Sequence, residues 1–219
     1  MIYRIILSIR HFLFDKGWKK SYEAEVPTIC VGNITVGGTG KTPHTEMILR
    51  MLLRSDDWAY SDIAVLSRGY KRKSKGFQKV GRDGTALQFG DEPLQVAKKF
   101  PVVTVAVDKD RVQGCHFLTH PEELQTSKKA KNCVDKAVPK AHLIVLDDAF
   151  QYRRLRADVN IVLVDYNRPV QKDTQAARER FFIRRTAPCL RPFPSAIMAK
   201  SPSMRERRSS PLFSKIPMG

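Results

Sequence analysis

The sequence predicts an α/β protein built on a doubly wound, mainly parallel sheet. Two observations carry that prediction. Apolar runs of strand length alternate with helical patterns, which is how parallel strands and crossover helices read in one dimension. The runs are Val26 to Ile34, Ile63 to Leu66, Val102 to Val107, Ala141 to Leu146 and Val159 to Asp165. Two of them also end in chemistry. The first leads into Thr35-Val36-Gly37-Gly38-Thr39-Gly40-Lys41-Thr42, and the fourth runs into Asp147-Asp148. In a sheet of this kind ligands bind at the carboxyl ends of the strands, and Lys41, Arg68, Asp147 and Asp148 all fall there.

A chain of 219 residues, 42% of them hydrophobic, suits one domain of ordinary size, or one plus a fragment. Its 39 basic and 22 acidic residues leave a net charge of +17. That calls for an anionic partner: nucleic acid, an acidic membrane surface or a phosphorylated substrate. Cys30, Cys115, Cys133 and Cys189 show no C-x-x-C spacing. This speaks against a cysteine metal cluster or a disulfide framework and makes a reducing cytosol the expected compartment.

Residues 2–14 place Ile2, Ile5, Ile6, Ile9 and Leu13 on one helical face, with Arg4, Ser8, His11 and Asp15 opposite. The run is too short to span a bilayer, which needs about 20 residues. Arg10, Lys16, Lys19, Lys20 and Trp18 surround it. Residues 1–20 therefore read either as a helix lying on an anionic membrane or as one packed on the protein's own core.

The apolar run, the glycine-rich turn ending in Gly-Lys-Thr and the helical pattern from Met47 to Leu53 are the parts of a P-loop, so the fold is expected to be of the P-loop NTPase class. Glycines let several backbone N–H groups point at phosphate, and the helix N-terminus adds its positive dipole end. Lys41 would reach the β- and γ-phosphates and Thr42 would hold Mg²⁺. The usual first glycine of the motif is replaced by Thr35. A plain linking turn is the alternative, and strand, loop, Lys-Thr pair and helix agree against it.

Ile63 to Leu66 reads as a second buried strand and runs into Ser67-Arg68-Gly69-Tyr70-Lys71-Arg72-Lys73-Ser74-Lys75-Gly76. Its cations could receive phosphate or form a solvated charged face. Gly90-Asp91-Glu92-Pro93 opens the next helix, where acids favour the first turn; by spacing alone, capping is the better reading of Asp91 and Glu92. Residues 108–119 read as a helix, and 121–140, polar and lysine-rich, as an exposed excursion. Ala141 to Asp148 has the Walker B pattern, a buried strand delivering acids to the Mg²⁺ beside the P-loop.

Four segments in this order resemble one family. Val31-Gly32-Asn33-Ile34-Thr35-Val36-Gly37-Gly38-Thr39-Gly40-Lys41-Thr42-Pro43 resembles the P-loop of tetraacyldisaccharide 4'-kinase, the lipid A kinase, which shares the non-glycine first position. Leu66-Ser67-Arg68-Gly69-Tyr70, Gly90-Asp91-Glu92-Pro93 and Leu146-Asp147-Asp148-Ala149-Phe150-Gln151-Tyr152-Arg153 are similar to its next three motifs, with Ala149 and Tyr152 in place of the commoner Gly and His. The resemblance implies ATP-dependent phosphorylation of the 4'-hydroxyl of a tetraacyldisaccharide 1-phosphate at the cytoplasmic face of the bacterial inner membrane, with Mg²⁺ on Thr42, Asp147 and Asp148. It implies that Asp91 helps activate the attacking hydroxyl, which outweighs the capping reading. It leaves Arg68 and Arg72 as candidates for substrate phosphate.

Rival classes fit less well. A partition-type ATPase would carry its signature lysine where Val36 stands. A GTPase would want an N-K-x-D motif, which the sequence lacks. No zinc spacing, RNA-binding aromatic signature or basic heptad suggests a nucleic-acid partner.

The resemblance covers residues 1 to about 170. Residues 171–219 hold 11 Lys and Arg against 3 Asp and Glu, and 6 of the 13 prolines. Such a stretch buries too little apolar surface to offset ordering entropy, so a kinase domain over 21–170 and a disordered or out-of-frame tail are expected. The family would continue with a second lobe bearing an Asp-His-His segment, and no Asp-His pair occurs here. The sequence thus leads one to expect a chain that binds nucleotide and is a poor kinase as written.

Overall fold

A computed structural model of the chain describes residues 12–14, 16–33, 40–55, 58 and 62–163. Most of the 1–20 segment, Thr35 to Thr39 of the P-loop and the 171–219 tail lie outside the described residues.

Among the described residues the main sheet has six strands. In chain order they are β2 (Thr28–Asn33), β3 (Ile63–Ser67), β4 (Gln78–Lys79), β5 (Thr104–Val107), β6 (Leu143–Asp147) and β8 (Val159–Leu163). They lie side by side as β4-β5-β3-β6-β2-β8, parallel except where the short β4 runs against β5. A two-stranded parallel sheet, β1 (Tyr22–Glu23) with β7 (Leu155–Arg156), stands apart. Among the described residues the helices that accompany them are α1 (Lys41–Leu53), α2 (Ala86–Phe89), α3 (Asp91–Lys99) and α4 (Arg111–Thr119).

Successive side chains of a strand point to opposite faces, and here each face has its own apolar core. Ile29, Val31, Ile63, Val65, Val105, Leu143 and Val145 meet Ile48, Leu49 and Leu52 of α1 and Leu94, Val96 and Ala97 of α3. Cys30, Ala64, Leu66, Ala106, Ile144 and Leu146 meet Cys115, Phe117 and Leu118 of α4. Helices on both faces of a parallel sheet are the doubly wound arrangement, which explains why these strands read as unbroken apolar runs rather than alternating ones.

Glu46 on α1 is buried and held from across the helix pair. Lys99 of α3 reaches both of its oxygens at 2.8 and 2.7 Å, and Gln95 donates at 3.0 Å. Those contacts, with Lys99 first among them, hold the Glu46 carboxyl below the usual carboxylate range against the cost of its burial.

Several expectations need correction. The strand placed at Val102 begins at Thr104, after a turn at 101–102. The helix placed from residue 108 begins at Arg111, because Asp108 and Asp110 turn their carboxylates onto the following backbone N–H groups. β8, at the edge of the described sheet, is only half-buried. Residues 121–140 are mostly exposed, as expected, but they are pinned to the fold: Leu124, Ala130, Cys133 and Val138 enter the core, and Gln78 binds Asn132 while Lys79 pairs with Asp135 at 2.8 Å. Anchors so sparsely spaced follow neither helical nor strand periodicity.

Candidate active site

β2 and β6 are neighbours, and both end at the same edge of the sheet. The P-loop lysine and the paired acids therefore converge although they are far apart in sequence. Lys41 Nζ lies 3.3 Å from Asp148 Oδ1 and donates to Asn33 Oδ1 at 3.3 Å. One turn into α1, Thr45 donates its hydroxyl to Asp147 Oδ1 at 3.2 Å. Thr42 stands half-buried in the first turn of the same helix. Gly40 leads into α1 at φ 75, a conformation that costs glycine nothing, and its carbonyl lies 2.8 Å from His44 Nδ1.

The two acids differ in setting. Asp147 is buried and its carboxyl is pushed up to about 6, first by desolvation and then by the negative charges of Glu92 and Asp148, against hydrogen bonds from Thr45 and Ser67. Asp148 is exposed and holds a left-handed conformation at φ 52. Its N–H donates to the Val31 carbonyl at 2.9 Å, and its own carbonyl accepts from Arg111 Nη2 at 3.2 Å. A buried carboxylate facing two more negative groups is a place that a cation would relieve.

Asp91 and Glu92 form the first turn of α3 without a side-chain capping bond. Their position follows from a close backbone approach. Gly69 and Gly90 both have positive φ, and a Cβ on Gly90 would come within 3.1 Å of the Tyr70 carbonyl. The turn after β3 thus seats the start of α3 near the strand ends, where the Glu92 charge reaches Asp147. Arg68 stands exposed on that turn, while Arg72 commits its guanidinium to Ser74 Oγ at 3.0 Å and the Gly76 carbonyl at 2.6 Å.

The family model for Tetraacyldisaccharide-1-P 4'-kinase matches residues 1–175. The chain belongs to this kinase family. Tetraacyldisaccharide 4'-kinase of Porphyromonas gingivalis is 44% identical over 172 residues, which cover 78% of this chain and 43% of that protein. The Phocaeicola vulgatus enzyme of the same name is 46% identical over 173 residues, 79% of this chain and 42% of that one. A crystal structure of LpxK from Aquifex aeolicus in complex with ATP is 34% identical with a TM-score of 0.58, covering 76% of this chain and 47% of that chain. The chain spans less than half the length of the curated relatives it matches.

Within this member of the 4'-kinase family, sequence reasoning singled out Lys41, Thr42, Asp147 and Asp148 but missed the residues that hold them. Arg111 is the main omission. It is 5% exposed, donates to the carbonyls of Lys109 and Asp148, and lies over the Tyr152 ring at 5.1 Å. Burial, and then the charge of Arg68, lowers its pKa. Tyr152 in turn donates to Asp110 Oδ1 at 2.7 Å. The motif departure at Tyr152 is thus absorbed into a support under Asp148. An isolated arginine opening a helix gives no sequence signal for such a role.

Proposed function

We propose that this chain carries the nucleotide-binding and metal-binding half of a kinase that transfers the γ-phosphoryl group of ATP to the 4'-hydroxyl of tetraacyldisaccharide 1-phosphate. The observation that supports it most directly is the convergence of Lys41, Asp147 and Asp148 at the ends of adjacent parallel strands, with Lys41 and Asp148 3.3 Å apart. An ammonium and a carboxylate so placed are poised to receive phosphate and metal, each now neutralising the other.

The donor set fits Mg²⁺, which prefers oxygen ligands: Thr42, Asp147 and Asp148 would hold it, and Thr35 to Thr42 would cradle the phosphates. ATP with its metal supplies the transferable phosphoryl group and part of the charge neutralisation. The chain's own residues do the rest. Lys41 offsets charge on the terminal phosphates, which is where phosphoryl transfer needs stabilisation. Asp91 orients the acceptor hydroxyl and accepts its proton, as a carboxylate within hydrogen-bond reach can. Arg68 serves substrate phosphate; Arg72, tied to its own loop, shapes that turn.

The lipid acceptor implies work at a membrane surface, which we assign to the cytoplasmic face of the inner membrane. Among the described residues no helix is long and apolar enough to cross a membrane. Phe12 and Trp18 are exposed, 50% and 74%, edge to face at 6.3 Å, a pairing suited to a headgroup layer.

Calorimetry with Mg-ATP tests the cradle. Binding should be abolished in Lys41→Ala, and unchanged affinity there would refute the assignment. Phosphate transfer to tetraacyldisaccharide 1-phosphate in detergent, and not to DNA, tests the substrate class.

A further inference from the structure

On the face of the sheet covered by α4, away from the kinase site, a second group of ligand-bearing side chains comes together. His116 and His120 are four residues apart at the C-terminal end of α4, their rings 4.8 Å apart between centroids. Residues at that spacing lie on one helical face. Glu25, from the link between β1 and β2, approaches them, and one donor atom from each of the three residues lies within 4.8 Å of the others. Glu123, in the 3-10 turn Pro121–Leu124, places Oε2 2.9 Å from His116 Nε2.

The hydrogen bonds around His120 say what belongs between these groups. The Thr119 hydroxyl donates back to the carbonyls of Cys115 and His116, at 3.1 and 3.0 Å. With its single proton turned to either carbonyl, the oxygen would accept at the 3.0 Å contact with His120 Nδ1 and the ring would donate. In the neutral ring that tautomer leaves a lone pair on Nε2. Nε2 faces Glu25 Oε2 at 3.4 Å. Two acceptors facing each other attract only when a cation, a proton or a metal ion, lies between them. A histidine whose second nitrogen is fixed by an oxygen partner is how metal-binding imidazoles are oriented. Glu123 supplies the corresponding carboxylate for His116.

We propose that Glu25, His116 and His120 bind a divalent transition-metal ion of the zinc type, with Glu123 orienting His116. Two imidazoles and a carboxylate suit Zn²⁺ and its neighbours far better than Mg²⁺. Three protein ligands leave a position for water. Metal–nitrogen and metal–oxygen bonds of about 2.0–2.2 Å require the three donors to draw together, and half-exposed side chains allow it. The ion would tie the β1–β2 link to α4. Its role is to fix that link, on which β2 and so the P-loop strand depend.

The test uses the full chain in excess Mg²⁺, so that the carboxylates at the kinase site are already occupied. Titration with Zn²⁺ should show one equivalent bound, and Co²⁺ should give the visible absorption of a low-coordinate nitrogen–oxygen site. His116→Gln and His120→Gln should each weaken Zn²⁺ binding by about tenfold or more, with the far-UV circular dichroism unchanged. Glu25→Gln, which keeps both imidazoles, should weaken it as well. Should a histidine variant unfold, Glu25→Gln decides alone. Zn²⁺ affinity indifferent to these substitutions, or a sulfur-to-cobalt charge-transfer band placing the ion on cysteine, would overturn the proposal.

Discussion

Replacing Asp147 with asparagine should stabilise the metal-free protein at neutral pH while removing a proposed metal ligand. The Asp147 carboxyl is displaced from 3.8 to about 6 in the folded state, chiefly by burial. Because the folded value is the higher one, this group's contribution to stability is fully present below about 3.8 and is lost as pH rises through about 6. At about 1.4 kcal/mol for each pH unit of displacement, the ionised carboxylate costs the fold roughly 3 kcal/mol at about pH 8. The amide carries no such cost. Its oxygen can still accept from Thr45, but its NH₂ needs an acceptor that the carboxylate did not, a loss of about 1 kcal/mol. The net gain is about 2 kcal/mol, or roughly 4–8 °C in melting temperature for a chain of this size. Near pH 4 Asp147 is already protonated, and the variant should be no more stable than the parent. Urea denaturation in chelator at both pH values measures the difference directly. A variant less stable by the same amount at both pH values would refute the reasoning, since the carboxylate would then bear no cost that depends on its charge.

Other outcomes follow from particular contacts. Arg111→Met removes the guanidinium that holds the Asp148 carbonyl; Mg²⁺-dependent ATP affinity should fall about tenfold, while metal-free ATP binding, read by the same calorimetry, should not. Gly32→Ala would set a new Cβ 2.5 Å from Phe150 Cβ and 3.3 Å from its backbone nitrogen, so the fold should lose about 1–3 kcal/mol in urea denaturation, and shortening Phe150 to alanine should not restore it. Deleting residues 1–20 should reduce co-sedimentation with anionic vesicles, with an effect that shrinks as salt screens the attraction; equal sedimentation would instead assign that segment to the protein's own core.

The parts of the site that were legible in the sequence are those whose chemistry is written locally. A Gly-Lys-Thr turn after an apolar run, or two aspartates ending one, carries its own meaning because strand, turn and acid are contiguous. The strands were legible because burial on both faces leaves them continuously apolar. What the sequence hid is assembled across the sheet. Nothing near Arg111 announces that it will support a carbonyl at the end of β6, nor does Glu25 announce the His116–His120 pair. The capping acids Asp108 and Asp110 delayed the start of α4 by three residues, a competition between side chain and backbone that helical periodicity does not register. The strands β4, β1 and β7 are two residues each, too short for any period to show.

The clamp on Glu46 bears on how this half of the kinase can move. α1 begins with Lys41 and α3 begins with Asp91, and Glu46, Gln95 and Lys99 bolt the two helices together on the far side of their starting points. Lys41 and Asp91, which we propose serve phosphate and the acceptor proton, therefore start helices that are fastened to each other. Bending either helix away from the other would take Lys99 and Gln95 from the buried Glu46 carboxylate and leave it Arg50 of its own helix at 3.5 Å, a cost that opposes separate motion of the two helices. In the proposed reaction, alignment would then fall to what is not fastened in this way, the nucleotide and the acceptor hydroxyl.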